Sequence, residues 1–156
     1  MNVREAREAD VERLVDNNVR LALESEHTVL DRGILEHGVR AALAAPLEKG
    51  RIFVADQNGL VVGQLMLTRE WSDWRNGWWW WIQSVFVEPT ARGTGVVDRL
   101  FAHVRDLARQ EPDVLGLKLY VERDNARAKR AYERLGLDEA RHLIFEEDLR
   151  RASERA

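Results

Sequence analysis

Val85-Phe86-Val87-Glu88-Pro89-Thr90-Ala91-Arg92-Gly93-Thr94-Gly95-Val96-Val97-Asp98 is the stretch whose reading decides the fold. The run Trp78–Val87 that leads into it reads as a strand, and Val96–Val104 reads as the start of a helix. A Glu88-Pro89 break and a glycine-rich turn join the two. This order aims several free backbone N–H groups at one point. A helix start leaves its first N–H groups unpaired and carries partial positive charge, so it suits a phosphate. Gly93 and Gly95 remove Cβ atoms where a diphosphate would approach, and they permit positive φ. Arg92 adds a planar, permanently charged fork. Arg92 to Asp98 is a candidate phosphate cradle.

Outward from the turn, the rest of the chain narrows the ligand. A Walker loop needs a Lys after its last glycine, and none follows Gly95. A dinucleotide fingerprint needs a third glycine near the start of a strand–helix–strand unit. Here the turn falls mid-chain, after a hairpin-like pattern. A second motif follows at Asn125-Ala126-Arg127-Ala128-Lys129-Arg130-Ala131-Tyr132-Glu133-Arg134-Leu135-Gly136-Leu137. Together the two resemble the GNAT acetyltransferase family. Its acyl-CoA motif, Arg/Gln-x-x-Gly-x-Gly/Ala after a Val-x-Val-x-Pro strand, corresponds to Val85–Pro89 and Arg92–Val97. Its Asn, Tyr and Leu-Gly-Phe motif corresponds to Asn125–Leu137. The resemblance covers nearly the whole chain.

Element by element, Asn2–Glu5 reads as a short strand and Asp10 as the cap of a helix. Val11, Leu14, Val15, Asn18, Val19, Leu21 and Ala22 recur at helical spacing, and Leu30–Glu48 forms a second helix closed by Gly50. Strands Arg51–Ala55 and Leu60–Trp71 flank the turn signal Asn58-Gly59, and Asn76-Gly77 turns the chain back into Trp78–Val87. Strand Val114–Glu122, helix Ala126–Leu135 and strand Arg141–Glu147 complete the pattern. The expected fold is mixed α/β, antiparallel early with a strand–helix–strand unit later. That order matches the GNAT fold, with a central, largely antiparallel sheet splayed at an acyl-CoA cleft and flanked by helices. Residues 1–149 form one domain, and Arg150–Ala156 is a fraying tail.

Composition sets limits. A chain of 156 residues is long enough for one domain with a sizeable core. Net charge is −3 with both signs mixed, which gives no electrostatic footprint for nucleic acid. Cysteine is absent, which excludes disulfides, cysteine zinc sites and an acyl-cysteine intermediate. The N-terminus lacks the apolar core of a signal peptide, and no apolar run reaches the length of a membrane span. A cytoplasmic location is the expectation. His27, His37, His103 and His142 lack metal-ligand spacing, so no metal site is expected.

The resemblance implies acetyl-CoA as acyl donor. Its pantetheine arm would pair with backbone groups of Val85, Phe86 and Val87, as an extra strand does on a free edge. The thioester carbonyl would face a backbone N–H of Val85 or its neighbour, which stabilises developing oxyanion charge. The diphosphate would lie on the amides of Gly93, Thr94, Gly95, Val96, Val97 and Asp98. Val97 departs from the family's Gly/Ala, tolerable because the contact there is a main-chain N–H if the side chain points away, and Asp98 places a carboxylate near the phosphates while suiting a helix first turn. Tyr132 would protonate the leaving thiolate. A phenol suits that task because its unperturbed pKa of about 10 lies above that of a thiol, about 8.5. The alternative for Tyr132 is a buried ring with a satisfied hydroxyl. Asn125 is a helix cap, a contact to pantetheine, or both.

The acceptor side is less defined. Trp71, Trp74, Trp78, Trp79, Trp80 and Trp81 crowd one hairpin region. Alternation puts Trp78, Trp80 and Ile82 on one face, and Trp79, Trp81 and Gln83 on the other. One set enters the core; the other lines an acceptor pocket, forms cross-strand aromatic pairs, or offers a surface for a homodimer. Glu24 and Glu26 either end a helix in solvent or add charge to that pocket for a cationic amine. No general base stands out. Tyr120 occupies the place of a Glu used by relatives that acetylate protein N-termini, with Glu122 expected on the same strand face. Gln83 and Ser84 are candidates to hold a water, and Glu88 is expected in solvent. A small-molecule or peptide amine is the expected acceptor, attacking acetyl-CoA directly in a ternary complex. The competing reading is a CoA-binding regulatory or structural module without turnover; Tyr132 favours the enzyme, while Val97 and Tyr120 favour the module.

Overall fold

Two Asn-Gly pairs and one proline shape the first half of the computed structural model, which describes residues 1–152. Asn58 and Gly59 both take positive φ, 57° and 83°, the backbone that matches the twist of a tight hairpin. They join strand β2, Arg51–Gln57, to β3, Leu60–Ser72. Asn76, φ 48°, starts the return into β4, Gly77–Val87. Upstream lie β1, Asn2–Glu5, and two helices, α1 Val11–Glu26 and α2 Arg32–Ala44. The single helix expected over Leu30–Glu48 is broken at Ala45, because a residue before proline is disfavoured in the helical region. Pro46 opens the short α3, Pro46–Lys49. Helix α4, Val96–Gln110, strand β5, Val114–Leu119, and helix α5, Ala126–Arg134, follow.

The five strands form one sheet in the order β1-β2-β3-β4-β5. The first four pair antiparallel, and β4 pairs with β5 in parallel. Strand alternation sends Ile52, Val54 and Val61 to one face, against Val11, Leu14 and Val15 of α1 and Val39 and Ala42 of α2. Phe53, Leu65, Leu67, Trp80 and Ile82 go to the other, against Val96, Leu100, Phe101 and Val104 of α4. This is the expected mixed α/β sheet flanked by helices.

Three expectations change. Asp10 precedes α1, but its carboxylate turns away from the helix; it accepts from Arg7 N at 2.7 Å and from Arg4 Nη1 at 2.7 Å. Strand β5 stops at Leu119, so Tyr120 and Glu122 lie beyond it and share no strand face. Arg141–Glu147 forms no strand: Leu143, Ile144 and Phe145 are exposed, and the chain leaves α5 through Gly136, φ 84°. Asp138–His142 is exposed throughout and supplies no apolar anchor to draw the segment onto a partner strand. Of the expected tail, Arg150 falls in a short helix α6, Leu149–Ala152, and residues 153–156 lie outside the described residues.

Candidate active site

The site begins with a defect in the sheet. Gln64 pairs with Phe86 and Met66 with Gln83, so Leu65 alone on β3 opposes Ser84 and Val85 on β4. Two residues against one is a β-bulge. Ser84 carries it with φ 51°, a left-handed conformation that a serine rarely adopts. On its other side, β4 pairs with β5 only from Trp78 to Ile82; Gln83–Val87 has no strand partner there. The two strands part at the bulge and leave a cleft walled by the edge of β4. Val85, Phe86 and Val87 lie along that wall; Phe86 and Val87 pair with Gln64 and Gly63 of β3, and Val87 O accepts from Arg92 Nε.

At the end of the wall, a turn through Pro89–Ala91 leads into the glycine stretch. Gly93 and Gly95 both have φ 82°, and a Cβ at either position would meet nothing within 4 Å. The glycines are thus required by backbone conformation, and the space over them is open. The first bond at the start of α4 runs from Arg99 N to Gly95 O at 3.1 Å. The amides of Val96, Val97 and Asp98, ahead of it, have no helical acceptor. Thr94 is held by its hydroxyl on Ala91 O at 2.8 Å. Val97 packs against the core on the α4 side of the sheet, and Asp98 lies 3.6 Å from Arg134, which offsets its charge. A diphosphate fits this arrangement: open space, free donors and no uncompensated anion.

Arg92 has partners of its own. Its Nε donates to Val87 O at 3.0 Å and its Nη2 to Glu24 Oε2 at 2.5 Å, with the guanidinium 5.8 Å from the Phe86 ring. Glu24 is therefore turned toward the phosphate turn, and Glu26 is exposed. Glu88, expected in solvent, is instead held by Arg20 at 2.9 Å and Arg13 at 3.4 Å with a largely covered side chain. Asn125 caps α5, accepting from Ala128 N at 3.0 Å, and its amide NH2 stays free to donate. Tyr132 packs partly buried, its ring 5.7 Å from Phe101. Burial raises its pKa above the ordinary tyrosine value of 10.0, so the hydroxyl stays protonated. No side chain among the described residues hydrogen-bonds that hydroxyl.

The opposite face of β4 carries Trp79, Trp81 and Gln83. Trp81 packs against Tyr120 with the rings tilted by 39° and centroids 4.4 Å apart, and it donates Nε1 to Glu70 at 2.6 Å. Lys118 sits 4.7 Å from the Trp79 ring and 5.5 Å from the Trp81 ring, and bonds Glu70 at 3.0 Å. Glu70 is held below the usual carboxylate range by Lys118 first and then by Trp81. Gln83 donates to Thr68 at 2.6 Å. The aromatic wall is thus real, but its own lysine already lies against it.

Beside this wall, a cavity of about 160 Å³ opens under α1 and α2, with Ser84 at its edge. Sequence reasoning missed it. The signal was Asn18, a polar residue in the apolar stripe of α1. Gln64, almost wholly buried, accepts from Asn17 at 2.9 Å and donates to Asn18 at 3.0 Å.

A strand pair that parts at a bulge, with a glycine-turned helix start at its end, defines an acyl-CoA-dependent transferase architecture. The acetyltransferase (GNAT) family profile matches residues 20–137, and the chain belongs to that family. Among solved structures, a "possible acetyltransferase" from Clostridium difficile 630 is 37% identical, covers 95% of this chain and 97% of its own, and superimposes with TM-score 0.88. A "predicted acetyltransferase with acetyl-CoA" from Clostridium acetobutylicum shares the fold at 18% identity, TM-score 0.76, covering 96% of this chain and 97% of its own. AAC(6')-Iy, in complex with the bisubstrate analogue CoA-S-monomethyl-acetylneamine, shares it at 17% identity, TM-score 0.74, covering 94% and 97%. No curated protein matches the sequence.

Proposed function

We propose that this GNAT protein transfers the acetyl group of acetyl-CoA to the nitrogen of a primary amine, by direct attack in a ternary complex. The observation that carries the proposal is the parting of β4 and β5 at the Ser84 bulge, which leaves Val85–Val87 without a β5 partner beside a glycine-turned helix start. Gly93 and Gly95 to Asp98 offer amides to the diphosphate, Thr94 N being bonded to Ala91 O, and the β4 edge beside the cleft offers backbone groups to the pantetheine arm. A backbone N–H of Val85 or its neighbour stabilises negative charge on the thioester oxygen in this reading. As the amine nitrogen bonds to the carbonyl carbon, the C–S bond breaks. The sulfur takes a proton from the Tyr132 hydroxyl, the nitrogen loses one to solvent, and solvent returns a proton to Tyr132. The products are an amide and the free thiol of CoA.

The deciding experiment measures thiol release from acetyl-CoA over a panel of primary amines, with a CoA-dependent thermal shift as control. Thiol release with at least one amine, alongside the shift, is the expected result. A thermal shift with no release on any amine would establish a CoA-binding module in its place.

A further inference from the structure

The cavity under α1 and α2 carries information about the acceptor. Leu14, Leu35, Val39, Ala42, Ile52 and Met66 supply its apolar wall. Its polar groups are Asn18, Gln64 and Ser84, all neutral, and no ionisable side chain lines it. A void of about 150 Å³ with such walls accommodates a molecule of benzene size, and this one measures about 160 Å³. It abuts the bulge: Ser84 lines it, and the next residue, Val85, carries or adjoins the amide assigned to the thioester oxygen.

Gly38 marks the mouth. It lies in α2, where glycine is a much poorer helix former than alanine. Neither packing nor conformation requires it, because its φ is not positive and a Cβ there would meet nothing within 4 Å. What the missing side chain does is leave the mouth open.

Two of the carboxylates that would favour a polycation are already engaged internally, and Glu26 is exposed. Glu24 is engaged by Arg92, and Glu70 by Lys118, which also lies against both tryptophan rings. Resting on the acetyl-transfer reading above, we infer that the acceptor is a primary amine bearing one compact, uncharged, mainly aliphatic or aromatic group. That group fills the Leu14–Met66 cavity, with the nitrogen beside Ser84. A multiply charged polyamine or aminosugar is excluded by the cost of burying charge without a counterion. The same apolar surroundings disfavour the ammonium form, so the amine arrives neutral and needs no dedicated carboxylate base.

The test compares 2-phenylethylamine and 3-methylbutylamine with spermidine and kanamycin, on the parent and on Gly38→Leu. The variant suits a helix and projects into open space, so its thermal midpoint should match or exceed the parent's, and its acetyl-CoA Kd should be unchanged. The parent should prefer the compact apolar amines by about tenfold or more in kcat/KM, the scale of one or two methylenes in an apolar pocket. Gly38→Leu should lower kcat/KM for 2-phenylethylamine about tenfold, chiefly through KM. A preference for spermidine or kanamycin, or an unaltered profile in the variant, overturns the assignment. Calorimetry of 2-phenylethylamine with the CoA-saturated protein separates the two proposals. Binding to the parent but not to Gly38→Leu, without turnover of any amine, keeps the cavity assignment and removes the acetyl-transfer reading. No binding to the parent removes the cavity assignment.

Discussion

Arg92 Nη2 lies 2.5 Å from Glu24 Oε2, while Arg92 Nε holds the Val87 carbonyl at 3.0 Å. One guanidinium thereby joins the end of β4, the glycine turn and the last part of α1. It braces the turn, and Glu24 offsets part of its charge. Glu24→Gln should therefore leave the acceptor KM unchanged. Half-exposed pairs of this kind are worth only about 0.2–1 kcal/mol, so the thermal midpoint should barely move. With the carboxylate gone, the charge of Arg92 is free to attract a diphosphate. CoA should bind a few-fold tighter at low salt, and the gain should fade as salt rises. Titration of CoA at two ionic strengths checks this; a raised acceptor KM would return Glu24 to the acceptor site.

The phosphate turn is tested at Gly95. Its φ of 82° is left-handed and the space above it is open. Gly95→Asp puts a negative side chain into that space, whereas Gly95→Asn presents the same shape without charge. Asn and Asp tolerate this conformation better than most residues, so both variants should fold. CoA affinity should fall sharply in the aspartate variant and by much less in the asparagine variant. Equal affinity for parent and Gly95→Asp by calorimetry would refute the cradle.

Tyr132→Phe isolates the proton. The hydroxyl has no side-chain partner among the described residues and the ring packs against Phe101, so stability and acetyl-CoA binding should persist. A general acid contributes about a hundredfold to ten-thousandfold in rate, and kcat should drop within that range. Because burial raises the Tyr132 pKa above 10.0, any loss of activity from its ionisation belongs above that pH and should be missing from the variant. Parent-like turnover in Tyr132→Phe would mean that solvent protonates the sulfur.

Stability at acid pH is tied to Asp10. Its carboxylate is held below 3.8, first by its hydrogen bond to Arg4 and then by Arg7 N, against the cost of burial. A lowered folded pKa contributes stability that is complete above the unfolded value and is lost as pH falls through the folded one. Asp10→Asn should cost about 1–3 kcal/mol at pH 7, read as a lower urea midpoint at constant slope. The gap between variant and parent should narrow at pH 3 and below. A gap independent of pH would assign Asp10 a packing role only.

Periodicity and turn chemistry by themselves determined most of the frame. Asn58-Gly59 and Asn76-Gly77 marked the hairpins, the helical spacing of Val11, Leu14 and Val15 marked α1, and Pro89 followed by Gly93 and Gly95 marked the cradle. These are local effects, set by φ preferences and by which face of an element is apolar, so a linear pattern records them. Alternation likewise separated Trp80 and Ile82, which meet α4, from Trp79 and Trp81.

Tertiary structure alone decided how separate segments met. Nothing local indicated that Glu24 would find Arg92, that Lys118 would cover the tryptophans, or that Glu88 would be held by Arg13 and Arg20. Each is an encounter between long side chains from distant elements, governed by how α1 and β5 settle on the sheet. The expected strand at Arg141–Glu147 had the composition of a strand, but a strand exists only through a partner, and none pairs with it among the described residues. The bulge at Ser84 arises the same way, from one residue of β3 opposing two of β4. The acceptor cavity beside it is a gap between layers, and no single stretch of sequence encodes a gap.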